Sequence, residues 1–193
     1  MKVSLIQMNS VSDKQANLAQ ARALIEEAVR DERPDWICLP EVWDFIGGNR
    51  ASKTEAAEEI PGGPAYTLMQ ELAKTHRVFI HAGSILEKIP GDDERIHNTT
   101  VAFDREGREV ARYRKIHLFD IVAPDGHAHR ESATVKPGDQ VVTYDLEGLT
   151  VGCTICYDLR FSELFVALAN AGADVIVVPA AFALMTGKDH WEV

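Results

Sequence analysis

Short, uninterrupted apolar runs alternating with helix-length amphipathic stretches constrain this chain more than any other feature. "WICLP" and "ADVIVVPAAF" are apolar at nearly every position, as strands buried on both faces are. "KVSLIQM" and "VFIHAGSILEK" read as two further strands. Between "KVSLIQM" and "WICLP", Ser12 reads as an N-cap with Gln15 completing a capping box. Leu18, Ala21, Ile25 and Ala28 then recur at helical spacing, so residues 13–30 are read as an amphipathic helix. A turn at "EEIPGGPAY" starts a second helix near Pro64, carried through "AYTLMQELAKTH". "NTTVAFDREGREVARYRK" reads as a hairpin turning at "REG", and "QVVTYDLEGLTVGCTICYD" as another turning at "EGL". "SELFVALANAG" is a helix closed by Gly172. Residues 42–63 before the "EEIPGG" turn, and 116–140, show no clear period and read as loops. The order β-α-β-α-β-β-β, loop, β-β-α-β predicts an α/β protein with a mixed sheet, or two such sheets packed together. No linker interrupts it, so residues 1–193 are read as one domain.

Charge and length narrow the function. Against 20 Lys and Arg stand 30 Asp and Glu, a formal net charge of -10, and an acidic surface repels phosphate backbones, so nucleic acid is excluded as a partner. The longest uncharged run, Val175 to Gly187, falls short of the ~20 residues that span a bilayer, and Pro179 interrupts it, so no membrane partner is expected. The apolar part of the N-terminus is too short for a signal peptide, which predicts a cytoplasmic protein. The three cysteines are then expected to be reduced thiols rather than a disulfide framework.

Two of them, Cys153 and Cys156, stand in a C-x-x-C spacing. If residues 150–156 form one strand, an odd separation sends the two side chains to opposite faces, where they cannot share a metal or a disulfide. Cys153 sits among apolar neighbours and reads as core. Cys156 reads as the last strand residue before "YDLRFSELF", at the carboxyl end of a sheet, where ligands bind in open α/β folds. The amides of the following turn favour a thiolate or an oxyanion there. The position resembles a nucleophile elbow without its glycines. This geometry leaves a catalytic and a structural Cys156 both open. None of the seven histidines is singled out, and His127 and His129 form an H-x-H in a turn-rich loop, read as solvated. Glu41 directly follows "WICLP", and Lys115 ends "ARYRK". Three ionisable groups, each just past an apolar strand, suggest convergence on one sheet end.

With "LPEVW", "YRKIHLFD" and "CYDLRFSELF" in this order, the chain resembles the nitrilase superfamily of carbon–nitrogen hydrolases, whose members carry a Glu-Lys-Cys triad. The resemblance extends to "MKVSLIQM", "GGP", "NTTVAFDREG" and "GADVIVVPAAF…TGKDHWEV". It implies Glu41, Lys115 and Cys156 as the triad, and "HRESATVKPGD" places the family's second active-site glutamate at Glu131. It implies a four-layer α-β-β-α sandwich with mixed sheets, no metal, no organic cofactor, and homo-oligomers at full length. It further implies an amide-cleaving mechanism: Glu41 deprotonates Cys156, the thiolate attacks the carbonyl, and Lys115 with the Tyr157 backbone amide stabilises the oxyanion, with Glu131 orienting Lys115. Cys156, at a strand end beside Lys115, is then expected to be exposed, with a lowered pKa. "CYDLRF", "HRES" and "TGKDHWEV" resemble the amidase-like branch, which includes ω-amidases and deaminated-glutathione amidases. A small linear amide, such as an ω-amide of a dicarboxylic acid, is the expected substrate. An N-carbamoyl amino acid hydrolase is the nearest enzymatic alternative, and a non-catalytic scaffold on the same fold the alternative of another class. A redox or zinc role for Cys153 and Cys156 fails on strand parity. Relatives of this kind continue past "HWEV", where Asp189, Trp191 and Glu192 start a helix that nothing terminates. The expectation is a C-terminally truncated chain lacking strands of the second sheet.

Overall fold

The computed structural model describes residues 1–122, 126, 128–182 and 187–188. Asp189, Trp191, Glu192 and His127 lie outside the described residues. The first sheet is built from β1 (Val3–Leu5), β2 (Trp36–Cys38), β3 (Phe79–His81), β4 (Ile85–Ile89), β5 (Asp92–Phe103) and β6 (Glu109–Arg114). Its first three strands are parallel, and β5 pairs antiparallel with β3, β4 and β6. The second sheet holds β9 (Thr143–Leu146), β10 (Leu149–Cys153) and β11 (Val175–Val177), in the order β11-β10-β9. A small hairpin, β7 (Asp120–Val122) with β8 (Ala128–Arg130), stands apart from both.

The continuous apolar run at β2 is explained by cover on both faces, whereas β11, expected to be buried as well, is only half-buried at all three positions. Along β2, Ile37 faces one core with Ile80, Val101 and Phe103. That core is closed by Ala21 and Ile25 of α1 (Lys14–Glu32) and by Met69, Leu72 and Ala73 of α3 (Pro64–His76). Trp36 and Cys38 face the opposite core, with Phe79, Ala102 and Tyr113, against Tyr144, Leu146, Val151 and Cys153 of the second sheet. The outer face of that sheet is covered by α4 (Ser162–Asn170), where a Cβ added to Gly152 would meet Leu168 Cδ2 at 3.1 Å. The layers therefore run α1/α3, first sheet, second sheet, α4: the expected four-layer α-β-β-α sandwich. Among the described residues, no helix is long and apolar enough to cross a membrane.

Four expectations shift. The N-cap of α1 is Asp13, not Ser12, its carboxylate accepting the Ala16 N–H at 3.0 Å; a charged acceptor answers the positive helix end better than a hydroxyl. Within 42–63, α2 (Arg50–Ala56) forms on an Asn49 cap. The segment read as loop, 116–140, contains the β7–β8 hairpin and a 3₁₀ turn, Glu131–Ala133. The single strand expected over "VFIHAGSILEK" is broken at Ala82–Ser84 into β3 and β4, which follow one another along the same edge of β5.

That break positions the site. Gly83 has φ +55°, and a Cβ there would lie 1.9 Å from the Pro40 carbonyl oxygen. The bare corner lets Ser84 clasp the turn after β2: its Oγ accepts the Val42 N–H at 2.9 Å, and its own N–H reaches the Pro40 oxygen at 3.1 Å. A clash with backbone cannot be relieved by a rotamer change. Gly83→Ala is therefore expected to lower unfolding free energy by roughly 3 kcal/mol in urea titration; a wild-type midpoint would contradict the close approach.

Candidate active site

Glu41 sits where β2 has run out and the chain turns at residues 41–44. Val42 is held at φ +42°, a left-handed conformation that a β-branched residue adopts only when its surroundings impose it. The Ser84 clasp and the Trp43 indole N–H on the Ala82 oxygen, at 2.8 Å, supply that constraint. The Glu41 carboxylate is thereby buried and fully engaged. Its Oε1 accepts from Lys115 Nζ and from Asn98 Nδ2, both at 3.0 Å, and Oε2 accepts from the Ala181 N–H at 2.9 Å.

Lys115 leaves the end of β6, its backbone N–H still bonded to the Asn98 oxygen at 2.9 Å. Its side chain is 2% exposed, and its ammonium bridges Glu41 and both carboxylate oxygens of Glu131, at 3.2 and 3.0 Å. Glu131 opens the 3₁₀ turn after β8, and the Phe119 N–H donates to its Oε2 at 2.6 Å. Burial pushes the Lys115 ammonium down, but the charges of Glu41 and Glu131 outweigh it and hold the pKa above the ordinary lysine value.

Cys156 is brought to this group, but not as expected. Strand β10 ends at Cys153, and Cys156 opens a 3₁₀ turn, Cys156–Arg160, at φ +50°. The parity argument therefore does not apply, since Cys153 and Cys156 line the same inter-sheet core. All three cysteines are free thiols. A non-glycine residue at this φ costs about 1–3 kcal/mol and persists only where the fold over-determines it. The Cys156 N–H is tied to the Pro179 oxygen at 2.9 Å, and the residue lines the same cavity as Glu41 and Lys115.

The expected exposure and lowered pKa of Cys156 are also corrected. The residue is 6% exposed. Burial, and then the Glu41 charge, push the thiol up, and Lys115 offsets only part of this. A thiolate would add a second net negative charge to a closed cluster that already holds two carboxylates and one ammonium. Burial and the Glu41 charge therefore favour the neutral thiol over the thiolate.

These side chains line one cavity of about 370 Å³, walled by Val42, Phe45, Leu86, Ile96 and Phe119 and carrying Lys53 and Arg130 as further cations. The four predicted side chains converge, and the Tyr157 amide follows Cys156 directly in its turn. The Tyr157 ring packs edge-on against Phe119 and Phe161, with centroids 5.0 and 5.5 Å away. His129 lines the cavity but is exposed, without a metal cluster among the described residues. Asn98, the Ala181 amide and Lys53 were not anticipated. Asn98 stands in the quoted "NTT", yet nothing in that triplet says which residue turns toward Glu41.

The carbon–nitrogen hydrolase family model matches residues 2–193. The chain is 41% identical over 191 residues to a deaminated glutathione amidase of Synechocystis sp., covering 97% of this chain and 69% of that protein. It is 39% identical over 191 residues to human omega-amidase NIT2, covering 99% and 67%. Among solved structures, Saccharomyces cerevisiae Nit3, a member of branch 10 of the nitrilase superfamily, superposes with a TM-score of 0.85 at 31% identity, over 99% of this chain and 68% of that one. The Caenorhabditis elegans NitFhit protein superposes at 0.89 with 33% identity, over 98% and 46%.

Proposed function

We propose, on the premise that this chain belongs to the carbon–nitrogen hydrolase family, that Glu41, Lys115, Cys156 and Glu131 cleave a small linear amide through a thioester on Cys156. That it is a hydrolase of non-peptide C–N bonds rests on the family and the amidase relatives. The residues, steps and substrate are our reading. The observation that carries it is the Lys115 ammonium held between Glu41 and Glu131 at 3.0 Å from each, with Cys156 lining the same cavity.

Glu41 takes the thiol proton as sulfur attacks the amide carbonyl. Charge develops on the carbonyl oxygen, where the Lys115 ammonium and the Tyr157 amide stabilise it, each such donor being worth roughly 3 kcal/mol. The C–N bond breaks, and the leaving nitrogen takes the proton from Glu41. Water then attacks the thioester while Glu41 accepts its proton. The C–S bond breaks, the thiol is reprotonated, and carboxylic acid and ammonia leave. Glu131 holds Lys115 in place throughout. Starting from a neutral thiol suits this scheme, because proton and nucleophile then move together and no buried thiolate is required at rest.

The cavity also favours an acidic amide. Lys53 and Arg130 are its cations besides Lys115, placed to receive a carboxylate at the far end of an ω-amide. Ammonia release is expected from the monoamide of a short dicarboxylic acid in preference to the uncharged amide of equal length. Lys53→Ala should raise KM for the acidic amide about tenfold, as loss of one charged hydrogen bond does, and leave the uncharged one unchanged. Preferential release of ammonia with carbon dioxide from an N-carbamoyl amino acid would replace the substrate assignment. No turnover of any amide would favour a scaffold. A cytoplasmic location and self-association belong to the same reading, the former supported by three unpaired thiols.

A further inference from the structure

Outside the reacting group lies a buried carboxylate that the mechanism does not use. Asp158 is fully buried two residues after Cys156. Its Oδ2 accepts from the Ile155 N–H at 2.8 Å and the Tyr113 hydroxyl at 2.7 Å. Its Oδ1 accepts from the His117 N–H at 2.9 Å and from His117 Nδ1 at 2.8 Å. A carboxylate facing that ring nitrogen fixes it as the protonated one. The imidazole also stacks on Phe161, with centroids 3.7 Å apart and planes at 8°, and Phe161 ends the turn that Cys156 begins. The Tyr113 hydroxyl in turn accepts the Ile116 N–H at 3.3 Å.

The partners fall into two sets. Ile155 directly precedes Cys156. Tyr113, Ile116 and His117 flank Lys115 in sequence. One side chain thus joins the strained turn carrying the sulfur to the strand exit carrying the ammonium. All four of its bonds come from N–H or O–H donors.

We infer that Asp158 is a positioning residue that fixes the Cys156 sulfur against Lys115 and Glu41 by clamping the nucleophile turn to the exit of β6. The inference rests on the catalytic reading above. It predicts an effect on the chemical step rather than on substrate binding, because Asp158 does not line the cavity.

The test is steady-state amide hydrolysis, together with the rate of Cys156 alkylation by iodoacetamide read by peptide mass, in wild type, Asp158→Asn, Tyr113→Phe, His117→Ala and His117→Asn. Asp158→Asn should lower kcat about 100-fold, the loss expected of a 1 Å misplacement, with KM within about twofold and slower alkylation. Tyr113→Phe, losing one bond of four, should lower kcat about tenfold. His117→Ala should lower kcat, and His117→Asn should recover it, since its side-chain N–H can replace Nδ1–H. All should melt cooperatively; if Asp158→Asn does not fold, the Tyr113 and His117 variants decide. Wild-type kcat and alkylation in Tyr113→Phe and in both His117 variants would overturn the inference, as would a change confined to KM. Turnover retained in Glu41→Gln counts against the catalytic assignment itself. Turnover lost there, with wild-type rates in the clamp variants, counts against the clamp alone.

Discussion

Glu41→Gln is expected to lower kcat about 10⁴-fold, the upper end of what one general acid–base group contributes, because in the proposed mechanism Glu41 moves a proton in both halves of the reaction. Gln keeps the shape and removes the basicity. Its amide group must also face a donor, since Oε1 already takes N–H bonds from Lys115 and Asn98 and Oε2 takes one from Ala181. One lost or opposed hydrogen bond of this kind costs about 1–3 kcal/mol. The melting temperature should therefore fall by several degrees while the transition stays cooperative. Circular dichroism and ammonia release measured on one preparation separate the two effects. Turnover within tenfold of wild type, with a native spectrum, would remove Glu41 from the role of base.

Lys115→Ala is expected to be as severe kinetically and worse for stability. The ammonium is buried, and it is the cation shared by Glu41 and Glu131. Removing it leaves two carboxylates facing one another with no opposite charge between them, and breaking a buried ion pair in this way costs about 3–5 kcal/mol. Denaturant titration at neutral pH should show the loss directly. Lys115→Arg should not restore turnover, since a planar guanidinium cannot occupy the narrow space between two carboxylates as a point charge does. An unchanged denaturation midpoint together with retained turnover in Lys115→Ala would show that the ammonium serves neither the fold nor the reaction.

The apolar runs made buried strands of an α/β fold legible, because a strand covered on both faces is apolar at every position, as Trp36, Ile37 and Cys38 are, while the choice of two packed sheets over one came from the family resemblance. Glu41, Lys115 and Cys156 were legible as groups just past apolar strands, and only the motifs joined Glu131 to them. No local period places the end of β2 beside the turn after β8, and Glu131 lies in a stretch with no periodicity at all. What sequence could not show was conformation at single residues. Cys156 was read as a strand terminus, and its φ of +50° goes with a tertiary bond, its N–H on the Pro179 oxygen. Its pKa was read from Lys115 and the amides of the following turn. The actual direction comes from burial and Glu41, neither of which is local in the chain. Asp158 stood in the quoted "CYDLRF", but its four donors come from Ile155, Tyr113 and His117, and only the fold brings the last two to it.

The central claim is that an acyl group passes through the Cys156 sulfur. Acid quench within the first turnovers on an amide substrate, followed by peptide mapping, tests it most directly. The account predicts one acyl adduct, carried by the peptide containing Cys156, absent from Cys38 and Cys153 and lost on exposure to hydroxylamine, as a thioester is. Steady turnover with Cys156→Ala, or an adduct on a peptide without Cys156, would contradict it.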